Sequence, residues 1–253
     1  MRFKPKILPS VQNLAAELPE ALDPSARSRL VVQLGVGAIL LIAAAWLFGS
    51  IAEDVVTGDR LTLLDVRVAQ WLHLHASAGR TQWMLVVSQF HSTVAITCYT
   101  CIACIAAFRK RRLRRISTIA LCVVGGMLLN VLMKLAFHRA RPHFADPILT
   151  LTSYSFPSGH VAASTIFYGL GVVWVFGRTR AFHWRVLAVT AAAFAILLVA
   201  LSRMYLGVHY LSDVAAAFAE GVAWLALCLS ALAAFWREAG PTPDSRVAER
   251  GSA

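Results

Sequence analysis

Six long apolar stretches leave this chain few ways to fold. They lie at 30–52, 83–108, 116–137, 161–177, 186–202 and 214–236 of a 253-residue sequence. A helix needs about 20 mostly apolar residues to cross a bilayer. Inside hydrocarbon every backbone N–H and C=O must be satisfied within the protein, and a helix does this locally. The sequence therefore predicts an all-α, polytopic membrane protein with six transmembrane helices. Composition agrees, since only 15% of residues are charged and mean hydropathy is +0.65, whereas soluble domains carry about 25% charge. The fourth and fifth stretches are short. Their flanks extend them, and Trp174, Trp184 and Trp236 are placed to serve as interface anchors.

Segment 61–75 is too short to span. Its apolar residues Leu61, Leu64, Val68, Trp71 and Leu72 fall on one helical face, which predicts an amphipathic helix lying on the membrane between the first two spans. The expected organisation is a flexible N-terminal tail at 1–29, a six-helix membrane domain at 30–236 and a flexible C-terminal tail at 237–253. The polar stretch at 1–29 and the length of the apolar segment after it argue against a cleaved secretory signal. No internal repeat is visible. Cys98, Cys101 and Cys104 mimic a cluster-binding spacing, but they lie inside an apolar segment with no fourth partner and read as packing residues.

The formal net charge is +11, yet no basic stripe interleaved with aromatics points to nucleic acid. The basic residues instead alternate with the spans. Arg2, Lys4, Lys6, Arg27 and Arg29, the run Arg109 to Arg115, Arg178, Arg180 and Arg185, and Arg237, Arg246 and Arg250 all fall on one side. The positive-inside rule makes that side cytoplasmic, with both termini there. Three polar motifs then fall at the outer ends of spans three to six.

Those motifs are Lys134-x6-Arg141-Pro142, Pro157-Ser158-Gly159-His160 and Ser202-Arg203-x5-His209-x3-Asp213. Charges near lipid are costly and usually functional. His209 and Asp213 stand four residues apart, on one face if a helix begins there. A carboxylate holding one imidazole nitrogen fixes the tautomer and leaves the other nitrogen able to attack. Arg203 carries a planar fork suited to two phosphate oxygens. Ser158 reads as a helix N-cap, where backbone N–H groups attract anions beside His160. Lys134 and Arg141 are two helical turns apart and predict a shared face, with Pro142 ending the helix. Three cations, two imidazoles and one carboxylate suit binding a phosphate and attacking its phosphorus. Gln89, His91, His138, Arg139 and His143 lie nearby and read as packing or water contacts. Glu220, seven residues past Asp213, is read as pairing with Lys134 or lining the bundle interior.

In this order and spacing the motifs resemble the phosphatidic acid phosphatase type 2 superfamily, and every position of its three-part signature is matched. The resemblance implies a lipid phosphate phosphatase of bacterial type. His209 would be the nucleophile, forming a phosphohistidine, with Asp213 orienting it. His160 would protonate the leaving group and then activate water. Lys134, Arg141, Ser158, Gly159 and Arg203 would hold the phosphate oxygens. No metal and no other cofactor is expected. The implied partners are the bilayer and a lipid phosphate: undecaprenyl diphosphate, phosphatidylglycerophosphate or phosphatidic acid. The active site would face the periplasm or outside of a bacterial plasma membrane. A lipid phosphotransferase using the same site, or a non-catalytic lipid-binding protein, are the alternatives. The oligomeric state is not fixed by the sequence.

Overall fold

In the computed structural model of the protein, residues 24–238 are described, and they contain eight helices and no strand. Most of both expected tails lies outside these residues. The first described helix begins at Pro24, within the segment expected as the N-terminal tail. In chain order the helices are α1 (Pro24–Thr57), α2 (Arg60–Leu74), α3 (Ala78–Phe90), α4 (Thr93–Arg109), α5 (Leu113–Phe137), α6 (Gly159–Arg178), α7 (Phe182–Tyr205) and α8 (Leu211–Glu238). Five are long and apolar enough to span: Leu30–Thr57, Leu113–Phe137, Gly159–Arg178, Phe182–Tyr205 and Leu211–Trp236. Their outer faces carry large apolar side chains, such as Trp46 at 73% and Phe194 at 69% exposure. Water would penalise such a surface and lipid does not.

The span expected at 83–108 is not one continuous helix. It is the pair α3 and α4, bent by 41°, and it begins earlier, at Ala78. The break falls at His91 and Ser92, where backbone groups freed from the helix find side-chain partners. The Ser92 hydroxyl accepts the N–H of Ala95 at 3.2 Å, an N-cap, and His91 Nδ1 lies 2.8 Å from the carbonyl of Val87. Hydropathy counts cannot see such a break, since Ser and His cost little over a long apolar window.

The long helix α8 packs against α1, α5 and α6. Ala216 of α8 meets Ile51 and Ala52 of α1 together with Phe156 of the α5–α6 loop. Val161 and Ala162 pack with Val199, Val214 and Ala217 where α6, α7 and α8 meet. The α6–α8 crossing depends on Gly221, where an added Cβ would sit 2.8 Å from Thr165 Cβ. Without a hydrophobic drive between helices in lipid, close approach of this kind holds bundles together. Cys98, Cys101 and Cys104 are free along α4.

The short helix α2 falls where the amphipathic segment is expected, but its buried face differs. Leu64 and Trp71 are 44% and 59% exposed, whereas Asp65, Ala69 and Leu72 are buried. A carboxylate turned inward and away from water needs a partner.

Candidate active site

The C-terminal ends of α5 and α7 and the N-terminal ends of α6 and α8 converge, and fully buried polar side chains gather there. Asp65, Ser155, Ser158, Ser202, Ser212 and Asp213 all have 0% exposure. Most buried polar groups are hydrogen-bonded, so one left without a partner calls for an explanation.

His209 sits in the turn between α7 and α8, two residues before the helix that holds Asp213. Gly207, at φ +70°, reverses the chain just before it. The carboxylate of Asp213 gathers this turn. Its Oδ2 accepts the N–H of Tyr210 at 2.8 Å and lies 3.3 Å from His209 Nδ1, and the Ser155 hydroxyl donates to it. Asp213 thus holds Nδ1 in its protonated form, which leaves Nε2 with the lone pair. Burial, opposed by Asp213, pushes the His209 imidazole down to about 3 from the ordinary 6.5, so it stays neutral.

Lys134 and Arg141 do not share a helix face. α5 ends at Phe137, because His138 takes a left-handed φ of +47° and its N–H donates to the Lys134 carbonyl at 3.1 Å. Arg141 therefore lies on an irregular segment four residues past the helix. The two cations still converge, since both donate to the carbonyl of Tyr154, at 2.9 Å from Lys134 and 3.1 Å from Arg141. Arg141 also donates to the carbonyls of Ser153 and Val208 at 2.7 and 2.6 Å, and its Nη1 lies 3.3 Å from His209 Nε2.

Ser158 occupies the N-cap position of α6, but its side chain makes no capping bond. Instead its N–H donates to the Asp213 carbonyl at 3.1 Å, and its Oγ is buried with no partner among the described residues. Gly159 lies over Asn130 and Lys134, since a Cβ there would be 3.1 Å from Asn130 Oδ1 and 3.9 Å from Lys134 Cε. Arg203, 2% exposed, donates through Nη1 to the Ser88 hydroxyl of α3, while its Nε is buried without a partner among the described residues. His160 opens α6 within electrostatic reach of Arg203, His209, His91 and Arg141. An unpartnered guanidinium N–H and an unpartnered hydroxyl beside a neutral imidazole form a set of donors with capacity left for an anion.

Several residues outside the motifs hold this centre. Arg139 bridges Asp65 Oδ2 at 2.7 Å and Asp213 Oδ1 at 2.6 Å, donates to Ser212 Oγ at 2.6 Å and lies over the Tyr210 ring at 4.4 Å. Asp65 also accepts the N–H of Ser212 at 2.9 Å. Reading Arg139 as a packing or water contact is therefore a miss. The available signal was Asp65, the lone carboxylate of its helix. Glu220 does not bond Lys134; its Oε2 accepts from Asn130 Nδ2 at 2.8 Å in the bundle interior. His91 Nε2 lies 2.7 Å from Tyr168 Oη. The His138 ring meets Tyr154 edge-on, while Gln89 and His143 are exposed. No three His, Cys, Asp or Glu side chains among the described residues are grouped so as to hold a metal ion.

Fold and site together define an α-helical integral membrane protein built around a buried imidazole, carboxylate and guanidinium centre. Residues 115–237, just under half of the chain, match the family model of the PAP2 superfamily. Phosphatidylglycerophosphatase B of Bacillus subtilis (strain 168) is 36% identical over 98 residues, 38% of this chain and 47% of that protein. The match thus spans about half that relative's length. The fold resembles the crystal structure of a transmembrane PAP2-type phosphatidylglycerolphosphate phosphatase from Bacillus subtilis. The TM-score is 0.68 at 22% identity, covering 75% of this chain and 94% of that one. It is also similar to Aquifex aeolicus LpxE, with a TM-score of 0.52 at 17% identity, covering 66% of this chain and 94% of that one.

Proposed function

We propose that this chain is a lipid phosphatase that hydrolyses a lipid phosphate or diphosphate through a phosphohistidine on His209. One observation carries the reading: His209 is held by Asp213 at Nδ1 and faced by Arg141 at Nε2, each at 3.3 Å. The carboxylate fixes the tautomer, and the guanidinium would draw a phosphate to the attacking atom. Phosphate oxygens would take over the Arg141 N–H groups, freeing the Nε2 lone pair. Nε2 then forms a bond to phosphorus as the ester or anhydride P–O bond breaks, and His160, protonated beside the bound phosphate anion, gives that proton to the leaving oxygen. In the second half His160 takes a proton from water, whose oxygen attacks phosphorus. Inorganic phosphate leaves and His209 is restored.

Lys134, Arg141, Arg203, Ser158 Oγ and the Gly159 N–H would hold the equatorial oxygens, where charge develops. With three fixed cations the reaction needs no metal and no other cofactor. Asp213 acts as a positioning residue. The lipid tail would lie in the bilayer while its headgroup meets the site at the outer face, with both termini cytoplasmic. The named activity of the Bacillus relative supports phosphatidylglycerophosphate as a substrate; phosphatidic acid and undecaprenyl diphosphate share the same combination of tail and head.

The test is phosphate release by purified protein from each of these three lipids, with EDTA present. Release from at least one, unchanged by EDTA and lost in His209→Ala, is expected. No release from any, or activity that EDTA removes and Mg²⁺ restores, contradicts the reading.

A further inference from the structure

The end of the bundle away from His209 carries a cavity that the phosphatase reading leaves unused. It measures about 570 Å³, inside the range of roughly 300–1,000 Å³ usual for ligand sites. α4, α5 and α6 wall it. Its place along the membrane follows from α5. Arg115 lines the cavity and Lys134 lies at the active site, and nineteen residues of helix at 1.5 Å each separate them by roughly 28 Å, nearly the hydrocarbon thickness.

Small residues make the space. Ala103, Ala106 and Gly171 line it, and a Cβ added to Gly171 would meet no atom within 4 Å. The walls are therefore largely apolar and leave room between the helices. The end at the α4–α5 turn is different in kind. Lys110, Arg112 and Arg115 line it and no acidic residue does. No carboxylate among the described residues forms an ion pair with any of the three.

We propose that this cavity binds an anionic phospholipid of the leaflet opposite the active site. Its acyl chains would lie against the alanine and glycine walls, and its headgroup phosphate would meet Lys110, Arg112 and Arg115. Charge complementarity selects this occupant. A basic pocket between transmembrane helices attracts acidic headgroups, with each nearby cation adding to the attraction. A soluble anion would make no use of the apolar walls, and a partner's transmembrane helix would make no use of three clustered cations. The inference stands independently of the chemistry at His209.

The test uses the full-length protein in nanodiscs of equal phosphatidylglycerol and phosphatidylcholine, with retained lipids counted by native mass spectrometry after transfer to detergent. Preferential retention of phosphatidylglycerol, by about tenfold or more, is expected. The triple variant K110Q/R112Q/R115Q should erase that preference. Arg178→Gln with Arg180→Gln, on the same side but outside the cavity, should keep it. Gly171→Leu should lower retention while leaving the cations in place, and it carries the test should the triple variant fail to fold. Equal retention of both lipids overturns the proposal. So does a preference that survives K110Q/R112Q/R115Q, phosphatidylglycerol retention unchanged in Gly171→Leu, a preference lost equally with Arg178 and Arg180, or capture of a second copy of the chain in place of lipid.

Discussion

Arg139 forks between two carboxylates, with Nη2 2.7 Å from Asp65 Oδ2 and Nη1 2.6 Å from Asp213 Oδ1. Both acids have 0% side-chain exposure, and the arginine has 13%. One guanidinium thus ties the short helix α2 to the carboxylate that holds His209. Removing one partner of a buried ion pair costs about 3–5 kcal/mol, because the other charge is left uncompensated. Arg139→Ala should therefore lower the thermal unfolding midpoint in detergent markedly. Arg139→Lys keeps the charge but cannot bridge two carboxylates with a fixed fork, so it should fall between. Equal midpoints for wild type and Arg139→Ala would show that the fork holds nothing together.

Asp65→Asn tests the same link from the far side. It keeps the shape and one acceptor while removing the charge, so Arg139 remains paired to Asp213 alone. The expected result is a lower kcat with little change in KM, since Asp65 does not reach the phosphate. A raised KM with unchanged kcat would place Asp65 in substrate binding instead.

Arg141 donates to four oxygen acceptors and faces His209 Nε2. A lysine has no planar fork to satisfy that arrangement. Arg141→Lys should therefore cost about 10²–10³ in kcat/KM, the size of losing one transition-state donor. Competitive inhibition by inorganic phosphate or vanadate should weaken in parallel. Full activity in the variant would remove Arg141 from the phosphate site.

His209 provides a pH prediction. Burial, partly offset by the Asp213 carboxylate, holds its imidazole at about 3, below the ordinary 6.5. The unfolded chain therefore takes up a proton near 6.5 that the folded chain refuses until about 3. Within that window the unfolded state binds more protons, so this residue's contribution to stability falls as pH falls. Side-chain ¹⁵N shifts of His209 should report the neutral, Nδ1-protonated ring from pH 7 down to 5. An imidazolium signature at pH 6 would contradict the burial argument.

Much of this arrangement was legible in the residues themselves. Apolar windows located the five helices long enough to span and the bent pair α3–α4, because hydropathy integrates over twenty positions. Local backbone chemistry was not legible at that scale. The bend at His91 and Ser92 depends on two side chains capping freed carbonyl and N–H groups. The early end of α5 depends on His138 adopting a left-handed φ, which no spacing rule predicts. That end is what sends Arg139 and Arg141 to opposite sides of the His209–Asp213 pair. The partnership of Asp65 with Arg139 crosses 74 positions, beyond any periodicity, although a lone carboxylate on a short helix was its trace. The motif spacings placed His209 beside Asp213 because four residues return to one face even across a turn.

The central claim is that His209 Nε2 becomes bonded to phosphorus, and trapping that bond tests it most directly. Purified protein would be mixed briefly with ³²P-labelled phosphatidylglycerophosphate or phosphatidic acid, quenched in base and mapped by peptide mass spectrometry. The account predicts an acid-labile, base-stable phosphate on the peptide carrying His209, absent in His209→Ala. Label on a serine or aspartate, or turnover that survives His209→Ala, would contradict it.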